Sequence, residues 1–208
     1  MAACAGLVLL TASPVAFPSA RTSALRAAGH ALVLDDPVER ADVLVVTVDA
    51  GVAGLLEAAD LVQRGVATRV ALLGEAPDPA DREFLRRFPS YEDATARNAR
   101  QLGSLGVELV ERVPATVAGS TDEARVLAEW SRSRRFRSLV IVCSRDHSRR
   151  LHRAFSRVID SNETKIMIRA ARLSEFDPDT WWHTRAGART EIIELQKLVL
   201  DFALHPLS

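Results

Sequence analysis

Asp42-Val43-Leu44-Val45-Val46-Thr47-Val48, running into Asp49-Ala50-Gly51, is the stretch that decides the fold. Its apolar residues do not alternate with polar ones, which is the pattern of a short strand covered on both faces. Asp49-Ala50-Gly51 ends it. From Val52 to Arg64 the spacing turns helical, with Leu55, Leu56, Ala59 and Val62 on one side and Gly65 as the stop. Val70-Ala71-Leu72-Leu73 is a second buried strand. Strand, helix and strand in this order form the unit from which parallel sheets are built.

The alternation continues outward in both directions. Before it, Ser23 to Gly29 reads as a short helix ending at a glycine, and Leu32-Val33-Leu34 leads into the turn Asp35-Asp36-Pro37. After it, residues 74–90 carry Pro77, Pro79 and Pro89 and read as a long loop, a type of segment often tied to function. Glu92 to Leu102 is a helix, Val107-Glu108-Leu109-Val110 a third strand, and Thr121 to Arg132 a helix. Leu139-Val140-Ile141-Val142-Cys143 is a fourth strand, Asp146 to Ile159 an arginine-rich helix, and Lys165-Ile166-Met167-Ile168 a fifth strand at a sheet edge. Phe176 to Thr184 is a loop with Trp181-Trp182, and Arg189 to Leu204 is a very apolar closing helix. The expected fold is a three-layer α/β/α Rossmann-like domain over residues 30–208, with a mainly parallel sheet and right-handed crossovers.

Composition narrows the class without naming a reaction. Hydrophobic residues make up 48% of the 208 and charged residues 26%, a globular balance. The 27 basic and 27 acidic residues cancel, so bulk charge gives no case for a nucleic-acid partner. Cys4 and Cys143 cannot build a disulfide framework, and no metal-ligand spacing is present. His147 and His152 lie off a shared helical face, so no metal site is expected. Residues 2–20 carry no formal charge around an apolar centre, Leu7-Val8-Leu9-Leu10. That stretch (residues 1–20 as a unit) reads as a membrane anchor, a cleaved signal or a soluble apolar arm.

In an open parallel sheet, ligands bind beyond the carboxyl ends of the strands, which leaves three loops. The first, Thr47 to Gly54, offers Gly51 and backbone amides to an anion, or is a tight turn; it lacks the full dinucleotide fingerprint. Asp49 there binds a hydroxyl or amine, or caps the helix. The second, Gly119-Ser120-Thr121-Asp122-Glu123, fits a capping box through Ser120 and Glu123, and its amides could still face a cleft. In the third, Cys143-Ser144-Arg145-Asp146-His147-Ser148-Arg149-Arg150, a strand ends in a serine and a helix starts with histidine and two arginines. Arginines at a helix start oppose its dipole, so a carboxylate or a bound anion is expected beside His147 and Arg150; the alternative is a solvated arginine face paired with acids.

These loops, in this order, resemble the YdcF-like family, which includes the SanA and ElyC proteins of bacterial envelopes. Leu34-Asp35-Asp36-Pro37 with Ala41 to Val46 resembles its first-strand entry, and Glu57-Ala58-Ala59-x-Leu61 with Arg64-Gly65 its first helix. Ser120-Thr121-x-Glu123 matches most of an S-T-x-E-N element. Val142-Cys143-Ser144-x-x-His147-x-x-Arg150 matches a V-T-S-x-x-H-x-x-R element, and Trp181-Trp182, Glu194 and Lys197 resemble the family's tail. Departures are Gly54 where an arginine is expected, Ala124 for asparagine, and Leu73-Gly74-Glu75 for Ser-Gly-Gly.

The resemblance implies a role in cell-envelope and peptidoglycan maintenance, a location at the cell membrane with the cytoplasm as alternative, and a ligand like S-adenosylmethionine in one branch. The resulting expectation is a small anionic or nucleotide-like ligand, with Ser144, His147 and Arg150 as one wall and Asp49, Gly51, Ser120, Thr121 and Glu123 around it. The alternatives are an enzyme on a lipid-linked phosphate or cell-wall intermediate with His147 as acid/base, and a non-catalytic interaction protein whose site has decayed.

Overall fold

The structure is a computed structural model and describes residues 18–88, 90–159 and 163–206. Residues 1–17, most of the stretch read as an anchor or apolar arm, lie outside the described residues. Among those described, five strands form one all-parallel sheet: β1 (Val43–Val46), β2 (Arg69–Glu75), β3 (Leu109–Val117), β4 (Ser138–Cys143) and β5 (Lys165–Ala170), in the order β3-β2-β1-β4-β5. β1 pairs through Leu44 with Val70 of β2 and through Val43 with Leu139 of β4. β5 is an edge strand, as its mixed composition suggests.

Seven α-helices among the described residues connect and cover the sheet: α1 (Pro18–Leu32), α2 (Gly51–Gln63), α3 (Pro79–Arg87), α4 (Ala94–Ser104), α5 (Ser120–Arg134), α6 (Ser148–Val158) and α7 (Arg185–Leu204). Successive side chains of a strand point to opposite faces. Val43 and Val45 therefore join Leu139, Ile141 and Ile168 in a core closed by Leu127 of α5 and Phe155 of α6. Leu44 and Val46 join Val70, Val140 and Met167 in a second core, closed by Leu55 and Leu61 of α2 and Leu102 of α4. A strand with both faces buried explains the unbroken apolar run. The three-layer α/β/α Rossmann-like architecture is the one expected.

Several local expectations differ from the structure. Residues 74–90 are not a continuous loop: β2 runs on to Glu75, and α3 occupies Pro79–Arg87. Asp78 caps α3 by accepting from the Asp81 amide at 2.7 Å, with proline at the helix start. None of its residues is buried, so it lacks an apolar face to betray it. Gly29 does not end α1, which continues to Leu32. It lies where α1 meets the 178–181 segment, and a Cβ there would sit 2.5 Å from the Pro178 carbonyl oxygen. β3 extends well past Val110, to Val117.

The Ser120/Glu123 capping box is not formed. Gly119 is the N-cap of α5 without a side-chain cap; the Asp122 carboxylate accepts from the Ala118 amide at 3.1 Å. The Ser120 hydroxyl instead faces Arg150. Trp181 secures the loop before α7, its Nε1 donating to the Leu25 carbonyl at 2.8 Å. No helix among the described residues is long and apolar enough to cross a membrane.

Candidate functional site

The strand order changes direction between β1 and β4, because the chain leaves β1 toward β2 on one side and returns through β4 on the other. The loops after those two strands diverge there and leave a crevice, the usual ligand position in an open parallel sheet. After β1, a short turn of 3₁₀ helix (Val48–Ala50) carries Asp49 and leads into Gly51. After β4, a second such turn (Arg145–His147) brings His147 to the start of α6.

Asp49 reaches across the crevice. Its Oδ2 accepts from the Ser144 amide at 3.0 Å and from the Ser144 hydroxyl at 2.8 Å, so it does not cap α2. His147 Nδ1 lies 3.3 Å from the same Asp49 oxygen and 3.1 Å from Ser144 Oγ. His147 Nε2 lies 3.2 Å from Oε2 of Glu194, which enters from α7. Arg150 donates to that Glu194 oxygen at 3.0 Å, and Lys197 Nζ meets Oε1 at 2.7 Å. The result is one chain of alternating charge: Asp49, His147, Glu194, Arg150.

The electrostatics follow from this clasp. Burial alone would lower the His147 pKa, but hydrogen bonds and charge from Asp49 and Glu194 raise it to about 10. Burial alone would raise Asp49 and Glu194. The imidazolium overcomes this, helped by Ser144 and Thr47 at Asp49 and by Lys197 and Arg150 at Glu194, and each carboxyl falls to about 2. Glu123 lies beneath, with the Val48 amide donating to it. Its burial, then the charge of Asp49, push it up to about 7. His147 is thus a protonated imidazolium with a carboxylate at each nitrogen, suited to holding charge.

The predicted site residues fall into two clefts divided by this ion chain. Asp49, Gly51, Ser144 and His147 line one of about 550 Å³, together with Asp146, Phe176 and Thr190. Ser120, Thr121 and Arg150 line another of about 230 Å³ on the far side, with Lys197 and Arg157. Glu123 lines neither and is buried. A larger cleft of about 730 Å³ lies over β2 and β3, and three of its acids serve the fold. Asp78 and Asp93 cap α3 and α4, and Asp81 accepts from the Tyr91 hydroxyl. The switch-point cleft is where Asp49, Ser144 and His147 come together.

The arginines at the start of α6 are met by the chain's own acceptors. Arg149 donates to the carbonyls of Ala31 and Val33 at the end of α1, and Arg150 to Glu194. The acid beside His147 and Arg150 is the chain's own Glu194, which follows the alternative of arginines paired with acids rather than a bound anion. Sequence reading placed Glu194 only within a resemblance. Its signal was an acid set between Ile193 and Leu195 on a very apolar helix. Cys143 is a free, fully buried thiol whose pKa burial raises well above its usual range, an inert core group.

The two departures in the first loops have packing reasons here. Ala124 is fully buried in the core beside α6, where an unpaired amide would be costly. A Cβ at Gly54 would lie 2.3 Å from Ala50 Cβ in the turn before α2 and 3.2 Å from Val46 Cγ1 of β1, so the turn leaves no room for a side chain. Gly54→Ala is expected to destabilise the protein by about 1–3 kcal/mol in urea unfolding. A change below a few tenths would mean that α2 shifts freely.

No family model matches the sequence, and no curated protein matches it significantly. The fold and the crevice define a Rossmann-like α/β domain with a polar constellation at its topological switch point.

Proposed function

We propose that this chain is a small-molecule-binding domain of YdcF-like type, with its ligand in the switch-point cleft. The observation that carries the reading is the Asp49–Ser144–His147 bonding across the crevice, beside a cleft of about 550 Å³. Asp49, Asp146 and Glu175 line this cleft against one cation, His147. That balance favours a ligand with hydroxyls or a positive centre over a simple phosphate. Val52, Leu56, Leu173 and Phe176 offer apolar surface for a flat base. S-adenosylmethionine, with ribose hydroxyls, a sulfonium and an adenine, has this chemistry, and the resemblance supplies the same ligand. The resemblance also supports a role in envelope maintenance at the membrane.

The test is thermal and chemical stability of the protein with S-adenosylmethionine and with nucleotides. A ligand at ~100 times its dissociation constant should add about 2.7 kcal/mol. Ala53→Trp, which fills the cleft from the partly exposed side of α2, should remove that gain and leave the unliganded protein folded. No gain with any of these ligands, or a gain that survives Ala53→Trp, would sink the proposal.

A further inference from the structure

The closing helix α7 sorts its charges by side. Its acids turn inward: Glu191 and Glu194 are buried, and Asp201 is held by Arg153 and Arg157 of α6. The outward face from Arg189 onward carries Ile192, Ile193, Val199 (60% exposed), Leu200 (58%) and Leu204 (65%). Its exposed charges are basic, Arg189 and Lys197, and no acid is exposed on the helix. Apolar side chains flanked by basic ones are the pattern of a helix lying in a membrane interface rather than crossing it.

The smaller cleft opens at the edge of this face. It is about 230 Å³ and is lined by Ser120, Thr121, Arg150, Arg157 and Lys197, with Leu200 of the apolar face on its rim. Two cations of its wall, Arg150 and Lys197, share one carboxylate, Glu194, while Arg153 and Arg157 hold Asp201. One carboxylate between Arg150 and Lys197 leaves positive charge over, and the hydroxyls of Ser120 and Thr121 lie at the start of α5. An anionic group with an apolar tail would match both parts at once.

We propose that the outward face of α7 docks on an anionic lipid surface, with the Arg150–Lys197 cleft taking a lipid phosphate. A second copy of the chain fits less well. A two-fold pairing of this face would bring basic residues together, with no exposed acid on the helix to pair them. The docking does not depend on which molecule occupies the switch-point cleft.

Co-sedimentation of the full chain with lipid vesicles tests this. Binding should be about tenfold or more tighter to phosphatidylcholine vesicles containing roughly a third phosphatidylglycerol than to phosphatidylcholine alone. Leu200→Glu with Leu204→Glu should weaken binding to the anionic vesicles by about tenfold or more, because both apolar contact and charge attraction are lost. Both positions are more than half exposed, so the fold should survive, as far-UV circular dichroism would check. Lys197→Gln should lower the preference for anionic lipid.

Since residues 2–17 are uncharged and apolar, the variants decide the matter rather than binding by the wild type. Undiminished binding by the double variant, or equal binding to neutral vesicles, overturns the proposal. So does protection by inorganic phosphate without vesicle binding, or a wild-type dimer that the double variant converts to monomer.

Discussion

His147→Ala should lower stability by about 3–5 kcal/mol, the usual cost of removing one partner from a buried ion network. Among the described residues the imidazolium is the only cation between Asp49 Oδ2 at 3.3 Å and Glu194 Oε2 at 3.2 Å. Without it, Asp49 keeps only the Ser144 bonds and Thr47, and Glu194 keeps Arg150 and Lys197. Asp49 is the more exposed to harm, because nothing else among its partners carries positive charge. Asp49→Asn in the His147→Ala background should recover part of the loss, since the stranded charge is then gone. Urea unfolding of the three proteins measures this. A loss below about 1 kcal/mol for His147→Ala would mean that the ion chain is solvated and energetically idle.

The same clasp sets a pH profile with two limbs. His147 is raised from 6.5 to about 10, so its stabilisation is fully present below 6.5 and is lost as pH rises through about 10. Asp49 and Glu194 are lowered from 3.8 and 4.5 to about 2, so theirs is present above those values and is lost as pH falls toward 2. Glu123 works against the alkaline side: its carboxyl, raised from 4.5 to about 7, costs stability as pH climbs between those values. Stability should therefore peak near pH 4.5 and decline above it, first through Glu123 and then through His147. The alkaline limb should fall by up to about 1.4 kcal/mol per pH unit for the one proton held by His147. His147→Ala should flatten that limb above pH 7 and leave the Glu123 contribution below it. A wild-type profile that stays level from pH 6.5 to 10 would show that His147 is not held as an imidazolium.

The strands were legible because burial on both faces leaves a local trace, an unbroken apolar run such as Val43 to Val46. Helix α2 was legible through its one-sided spacing. Helix α3 was not, because it buries nothing and its only mark was the Asp78-Pro79 start. The Ser120/Glu123 pattern misled for the opposite reason: it had the right spacing, but Ser120 is drawn to Arg150 and Glu123 to the floor of the site. Gly29 and Gly54 read as a stop and a turn residue; both are points where a helix backbone approaches another segment within a side chain's reach.

The candidate residues divide in the same way. Asp49, Ser144, His147 and Arg150 could be nominated from loops that follow strands, since the position of a loop at a strand's carboxyl end is implied by the alternation of elements. Their pairing could not. Which acid answers His147 depends on β1 lying beside β4 and on α7 folding back over the start of α6. Hydrophobic period sufficed for the strands, for every helix but α3, and for the end of the sheet where the candidate residues gather, because it is a property of near neighbours. That Glu194 completes the ion chain, and that this chain separates an acid-lined cleft from a basic one, came from the packing of distant segments. Those contacts join segments far apart in the chain, and their strength comes from shared burial that no local pattern records.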